Sequence, residues 1–177
     1  MSNKWVIDGS HSSAGFSVKH LMITNVRGEF QKVEGTVTYD PAKPEATTIE
    51  ASADVASINT RDEKRDGHLK SPDFFDVEKF PTLTFKSKSV KVKGKEELSV
   101  TGDLTIHGVT KEVVLEVEGP SAPTSDPWGN TRIGATASTK IKREDFGLSW
   151  NAALEAGGVL VGSDVKITLD VSLIQQK

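Results

Sequence analysis

The chain has 177 residues, with 22 Lys and Arg against 25 Asp and Glu, a formal net charge of −3 and no cysteine. This length suffices for one domain with a sizeable core, expected to span residues 1–177. The composition excludes a disulfide framework and thiol chemistry. It also argues against nucleic-acid binding, which calls for a strongly basic face, and it offers no apolar run of the ~20 residues that a transmembrane helix needs.

The opening "MSNKWVIDGSHSS" has no charged segment followed by an apolar one, so it does not read as a secretory signal. The expected compartment is the cytoplasm, or the periplasm if a leader was removed before the numbering begins. Period-2 alternation then starts, the pattern of half-buried strands. "AGFSVKH" puts Ala14, Phe16, Val18 and His20 on one face, and "VEGTVTY" does the same for Val33, Gly35, Val37 and Tyr39. In "TIEASADVASI" the apolar face is Ile49, Ala51, Ala53 and Val55.

"INTRDEKRDGHLKSPDFF", residues 58–75, breaks this rhythm. Thr60 and Glu63 are spaced as a capping box, which predicts a helix from Arg61. Asp62 with Arg65, and Asp66 with Lys70, are spaced for ion pairs on its surface. Gly67 weakens the helix interior, and Ser71-Pro72 reads as a second N-cap leading into a short turn through Phe74 and Phe75. Within the helix only Leu69 is large and apolar, so Phe74, Phe75, Val77, Phe80 and Leu83 must anchor it. The segment is either a solvated cap or a lid at a barrel mouth. Surface ion pairs contribute only ~0–1 kcal/mol each, so stability alone explains its charge density poorly.

Alternation resumes in "ELSVTGDLTI" (Leu98, Val100, Gly102, Leu104, Ile106), "KEVVLEVEG" (Val113, Leu115, Val117), "RIGATASTKIK" (Ile133, Ala135, Ala137, Thr139, Ile141) and "DVKITLDVSL" (Val165, Ile167, Leu169, Val171, Leu173). Asp40-Pro41, Lys93-Gly94-Lys95, His107-Gly108, Gly119-Pro120 and Gly157-Gly158 mark turns, and residues 120–130 form the longest irregular loop. About eight strands in this style predict an all-β fold, a meander closed into an antiparallel barrel, with a sandwich as the alternative. The small residues Ala14, Gly35, Ala51, Ala53, Gly102, Ala135 and Ala137 on the inward faces either leave a hollow or fit the taper of a packed barrel.

Strong catalytic and cofactor motifs are missing: no GxGxxG, Walker loop, HExxH or CxxC. "GLSWN" at 147–151 lacks the second glycine of a nucleophile elbow. His11, His20, His68 and His107 lack the clustered spacing of a metal site, so no metal and no cofactor is expected. Arg65, Arg143 and the Lys residues are candidates to neutralise a phosphate-bearing head group, because a guanidinium matches phosphate geometry. The competing reading of each arginine is a surface salt bridge.

Four separated blocks resemble the YceI-like family: "WVIDGSHSSAGFSVKH" (5–20), "SINTRDEKRDGHLKSPDFFDVEKFPTLTFKS" (57–87), "GDLTIHGVTKEVVL" (102–115) and "KREDFGLSWN" (142–151). Asn59-Thr60, Arg65-Asp66, His68-Leu69 and Phe74-Phe75-Asp76 are the most diagnostic residues. The resemblance implies an extended lipocalin-like barrel with the helical lid near residues 61–75. It implies non-catalytic binding, transport or storage of a polyisoprenoid, such as an isoprenoid quinone or a polyprenyl phosphate, or of a similar long-chain amphiphile. Many relatives carry a leader and act in the periplasm; this sequence departs from that pattern. The expected lining is Phe16, Val18, Ile49, Val55, Phe75, Phe85, Leu104, Ala135, Ala137 and Phe146, with His20, Asn59, Arg65 and His68 at a polar mouth. The runner-up is an enzyme on a small lipid-like ester or amide, with His20 or His68 as general base helped by Asp66. A packed barrel acting only as an interaction module is a third reading. The architecture is also compatible with a homodimer.

Overall fold

The computed structural model describes residues 3–21, 23–151 and 160–177. Its strands are β1 (Lys4–Ile7), β2 (Ser13–His20), β3 (Thr24–Phe30), β4 (Val33–Thr38), β5 (Thr48–Asp54), β6 (Ile58–Asn59), β7 (Thr82–Gly94), β8 (Glu97–Ile106), β9 (Val109–Glu118), β10 (Thr124–Ser125), β11 (Thr131–Lys142) and β12 (Val161–Gln175). The α-helix α1 covers Glu63–Lys70. The expected Gly157-Gly158 turn lies outside the described residues.

All pairings are antiparallel, and β12 closes the ring. One of its edges follows β11 from Arg132↔Ile174 to Lys142↔Asp164. The other edge meets β1 at Trp5↔Gln175 through Ile7↔Leu173, then β2 from Asp170↔Ser13 to Val161↔His20. β1 and β2 are therefore two halves of one strand, interrupted by the 3-10 turn Gly9–His11. Gly9 suits this break, because a Cβ there would sit 3.0 Å from the Val33 carbonyl oxygen. In the same way β4 and β3 continue one another, as do β5 and β6. β9 and β10 likewise follow one edge of β11, so with these four breaks joined the sheet is a closed antiparallel barrel of eight strands. Closure pairs the edges that an open sheet would expose.

The barrel interior is packed at one end. Trp5, Ile7, Val37, Ile133 and Leu173 form a buried cluster there, continued by Val90, Leu98, Val100 and Leu115. Trp5 Nε1 donates to the Tyr39 carbonyl at 3.2 Å, satisfying the one polar atom of that buried ring. At the other end, Ile106, Ile141, Phe146 and Leu148 pack on one side, and Phe30, Ala53 and Ile58 on another. The segments 60–81, 107–108 and 143–151 belong to this end, α1 among them.

Two of the small residues do not leave empty space. A Cβ on Gly35 would lie 2.5 Å from the Glu50 carbonyl oxygen and 2.8 Å from Ala51 Cα, so glycine lets the β5 backbone approach. A Cβ on Gly102 would lie 2.6 Å from both the Lys86 carbonyl oxygen and Phe85 Cζ, so glycine there seats the Phe85 ring. The hollow comes instead from the division of the barrel into a filled end and an unfilled one.

Candidate ligand-binding site

A cavity of about 480 Å³ occupies the unfilled end, within the ~300–1,000 Å³ usual for small-molecule sites. Its depth follows β12: from Val161 to Leu169 the strand runs roughly 26 Å at ~3.3 Å per residue, and both residues touch the cavity. The wall is hydrocarbon and aromatic ring. Phe16, Phe30 and Phe75 form a chain of rings with successive centroids 5.7 Å apart. A Cβ on Gly28 would lie 2.5 Å from the Phe16 ring, so β3 needs glycine opposite that ring. Phe85, Leu115 and Leu169 lie at the inner end, against the packed cluster.

The mouth is polar and of one sign. Among the described residues, the charged ones lining the cavity are Lys19, Lys64, Arg65 and Arg143, joined by His20 and His68, and no Asp or Glu is with them. Two local arrangements position them.

The first is the lid. The chain reaches α1 through Arg61, whose φ of 66° is left-handed. This turn moves the helix start by two residues relative to the sequence expectation: the N-cap is Asp62, whose Oδ1 accepts from the Lys64 and Arg65 amides at 3.0 and 3.1 Å. The Arg65 amide, and then that of Lys64, hold the Asp62 carboxyl below its ordinary range. Thr60 is not the cap but a buried hub. Its amide and hydroxyl donate to Asp66 Oδ1, while Arg65 donates through Nε to the Thr60 hydroxyl at 2.9 Å and through a terminal nitrogen to the Thr60 carbonyl at 2.6 Å. Asp66 therefore pairs with Thr60 rather than with Lys70. His68 leans on the other side of the lid. Its Nε2 lies 2.9 Å from Asp73 Oδ2, and its ring meets Phe74 and Trp150 edge-on at 5.0 and 4.7 Å. Phe74 and Trp150 also touch, at 5.3 Å. These rings anchor a helix that has no apolar stripe of its own.

The second arrangement is built on Arg143, only 3% exposed. Its Nε donates to the Gly162 carbonyl at 2.8 Å. One terminal nitrogen donates to the carbonyls of Leu148 and Trp150, and the other to that of Val161 at 3.3 Å. The nearest carboxylate oxygen, on Glu144, is 3.9 Å away. Burial pushes the guanidinium pKa down from its ordinary value, yet an arginine keeps its charge in proteins. A buried cation thus ties together the two segments that flank residues 152–159 and presents positive charge to the cavity.

Of the residues expected to line the site, Phe16, Val18, Phe75, Phe85 and Leu104 face the cavity, with His20, Arg65 and His68 at its mouth. Six others are elsewhere. Ile49 packs between the two clusters of the filled end. β5 ends at Asp54, so Val55 leaves the strand phase, enters the 3-10 turn Val55–Ser57 and is buried there. Asn59 turns its Oδ1 to the Arg61 amide at 2.9 Å. Ala135 abuts Gly119, and Ala137 packs on the Val90–Leu115 cluster, both at the filled end. Phe146 is 1% exposed, packed with Ile106, Ile141 and Leu148 without reaching the cavity. Lys19, Lys64 and Trp150 also line the mouth, although the sequence pattern singles out none of them individually. Lys19 has the outward phase of its strand and reaches the cavity because it stands at the rim.

The family model for the YceI-like domain matches residues 5–173. A UPF0312 protein of Staphylococcus aureus is 41% identical over 164 residues, covering 92% of each chain. A UPF0312 protein of Vibrio cholerae is 41% identical over 146 residues, 81% of this chain and 77% of that one. The solved YceI protein of Campylobacter jejuni is 32% identical, with a TM-score of 0.73 over 90% of both chains. Two more distant structures share the fold. BcnA of Burkholderia cenocepacia is 24% identical with a TM-score of 0.80, over 94% of this chain and 98% of that one. A polyisoprenoid binding domain from Saccharophagus degradans, implicated in plant cell wall breakdown, is 17% identical with a TM-score of 0.68, over 99% and 100%. With the family model matched over nearly its whole length, this chain belongs to the YceI-like domain family.

Proposed function

We propose that the protein binds a polyisoprenoid, or a similar long-chain amphiphile, without chemically altering it. The apolar chain lies in the cavity and the head group lies among the cations of the mouth. One observation carries this reading: a deep hydrocarbon-lined cavity whose charged lining residues, among those described, are all positive. Burial contributes ~0.8 kcal/mol per methylene-sized group, so a few isoprene units suffice for tight binding once the costs of ordering the ligand are met. The cations favour a phosphate, or a head group rich in acceptor oxygens such as a quinone. The polyisoprenoid binding domain with the same fold supports the choice of ligand class.

The geometry gives the catalytic alternative little support. Asp66, the expected helper of a histidine base, is occupied by Thr60. Ser10, His11 and Asp8 do approach one another, but at the opposite end of the barrel, and the same His11 nitrogen, Nδ1, faces both Ser10 and Asp8. A proton relay needs one ring nitrogen for each partner. Among the described residues no group of three or more His, Asp or Glu side chains is arranged to hold a metal ion.

The test is an organic extract of natively purified protein analysed by mass spectrometry. The expected result is a prenyl lipid at close to one per chain. Protein that yields no lipid, and takes up neither a polyprenyl phosphate nor an isoprenoid quinone from detergent micelles, would overturn the proposal.

A further inference from the structure

The turn between β2 and β3 carries an apolar tip that the fold does not use. Leu21 is 40% exposed and Ile23 76% exposed. The other large exposed apolar residues among those described are dispersed: Val92 and Val114 lie on separate strands, and Trp128 lies in the loop at the filled end. Leu21 and Ile23 fall in one turn, and that turn is bonded to the mouth. The Leu21 amide donates to the Leu160 carbonyl at 2.8 Å, and the Ile23 amide to the His20 carbonyl at 3.2 Å. Leu160 and His20 are both lining residues of the cavity. The Leu21 φ of 55° is left-handed, a conformation that a leucine rarely adopts. The tip is thus held outward by the backbone bonds of the rim itself.

Cations surround it. Lys19 precedes the tip, Arg27 follows on β3, and Lys64 lines the same mouth from the lid; all three are exposed. Lys19 and Arg27 enter no ion pair among the described residues. The acids nearest in the lid are Asp62, which is engaged by the Lys64 and Arg65 amides, and Glu63.

We infer that this tip is a docking surface for an anionic lipid bilayer, with Leu21 and Ile23 entering the interface and Lys19, Arg27 and Lys64 meeting its phosphates. The inference rests on the lipid-binding reading above. A long hydrocarbon ligand resides in a membrane, and each methylene carried through water opposes its transfer. The filled end of the barrel gives the chain no passage, so loading and release go through the mouth. A mouth rimmed by exposed apolar side chains and unpaired lysine satisfies both conditions of interfacial binding, apolar insertion and attraction to anionic head groups.

The experiment is co-sedimentation with phosphatidylcholine vesicles, with and without phosphatidylglycerol, for the wild type and for the double variant Leu21→Ser/Ile23→Ser. Wild-type protein is expected to sediment with the phosphatidylglycerol vesicles and to be released as salt rises. The double variant is expected to bind at least about tenfold more weakly, since burying either side chain is worth more than that factor. In parallel, uptake of a polyprenyl phosphate from detergent micelles is expected to be equal in the two proteins, because neither residue lines the cavity. Equal sedimentation of the two proteins, or no sedimentation of the wild type, overturns the docking surface. A wild-type dimer that the double substitution converts to monomer overturns it in favour of a self-interface. Failure of both proteins to take up lipid from micelles strikes the lipid-binding reading instead.

Discussion

Val18→Trp separates the hollow part of the barrel from the filled part. Val18 faces Val26 across the β2–β3 ladder, both line the cavity, and neither belongs to a packed cluster. Tryptophan suits a strand and adds about seven ring atoms, which at ~0.8 kcal/mol per methylene-sized group displace roughly 5–6 kcal/mol of gross apolar contact with the ligand. The matching control is Ala137→Phe, on the Val90–Leu115 cluster, where overfilling a packed core costs ~1–3 kcal/mol. The assay measures both proteins after lipid removal, by urea unfolding, because bound ligand raises apparent stability. Mass spectrometry then follows lipid taken up again from micelles. Val18→Trp is expected to unfold near the wild-type midpoint and to hold a shorter chain, or none. Ala137→Phe is expected to unfold early. A Val18→Trp protein that is destabilised when empty yet binds a chain of the original length would refute the reasoning, since the space would then be neither open nor used by the ligand.

Other changes test the supports of the site. Gly67 lies inside α1, and a Cβ added there would have nothing within 4 Å, so Gly67→Ala is expected to raise stability by ~0.5–1 kcal/mol in thermal unfolding. Arg143→Met strips donors from the Leu148, Trp150 and Gly162 carbonyls, while that of Val161 keeps Asn151; unmet buried groups cost ~1–3 kcal/mol each, and the urea midpoint is expected to fall well below that of wild type. At the filled end, Arg132 bonds Asp8 at 2.7 Å and holds its carboxyl far below the ordinary 3.8, with help from Ser10 and His11. A lowered folded pKa gives stability that is complete above 3.8 and is lost as the pH falls toward the folded value. Arg132→Met is therefore expected to cost most near neutrality and progressively less below about pH 4, as read from unfolding midpoints across that range.

Alternation makes the faces of the strands legible, but not the height of each residue along the barrel. Ala135 and Ala137 share a face with Ile141, yet the alanines sit at the filled end while Ile141 touches the cavity. A period of two gives direction and carries no axial information. β3 and β7 do not stand out as strands in the sequence. In "TNVRGEF" the pattern is interrupted by Gly28, whose place is explained by the Phe16 ring and the Thr60 methyl against it. β7 begins with a regular "TLTF" but continues through "KSKS", where a register shift falls between Ser87 and Ser89. The position of the lid is legible, but its first residue is not. A capping box and an Asp cap two residues later both fit "NTRDEKRD", and the left-handed Arg61 decides between them. Arg143 is recognisable as a cation near the site. Its burial on four backbone carbonyls depends on contacts between residues 143 and 162 that no local pattern encodes.

The seam at β12 bears on how the protein is made. Each of its edges has a different partner, β11 on one side and the β1–β2 strand on the other, and its last paired residue is Gln175. Trp5 and Gln175 pair across nearly the whole chain, so the contact that completes the ring is among the least local in the molecule, and contacts of this kind form slowly. During synthesis the β1–β2 strand emerges with its closing partner still untranslated, and it stays an open edge until β12 has formed. A chain that stops short of β12 would expose two unpaired edges at once and open the cavity along its side.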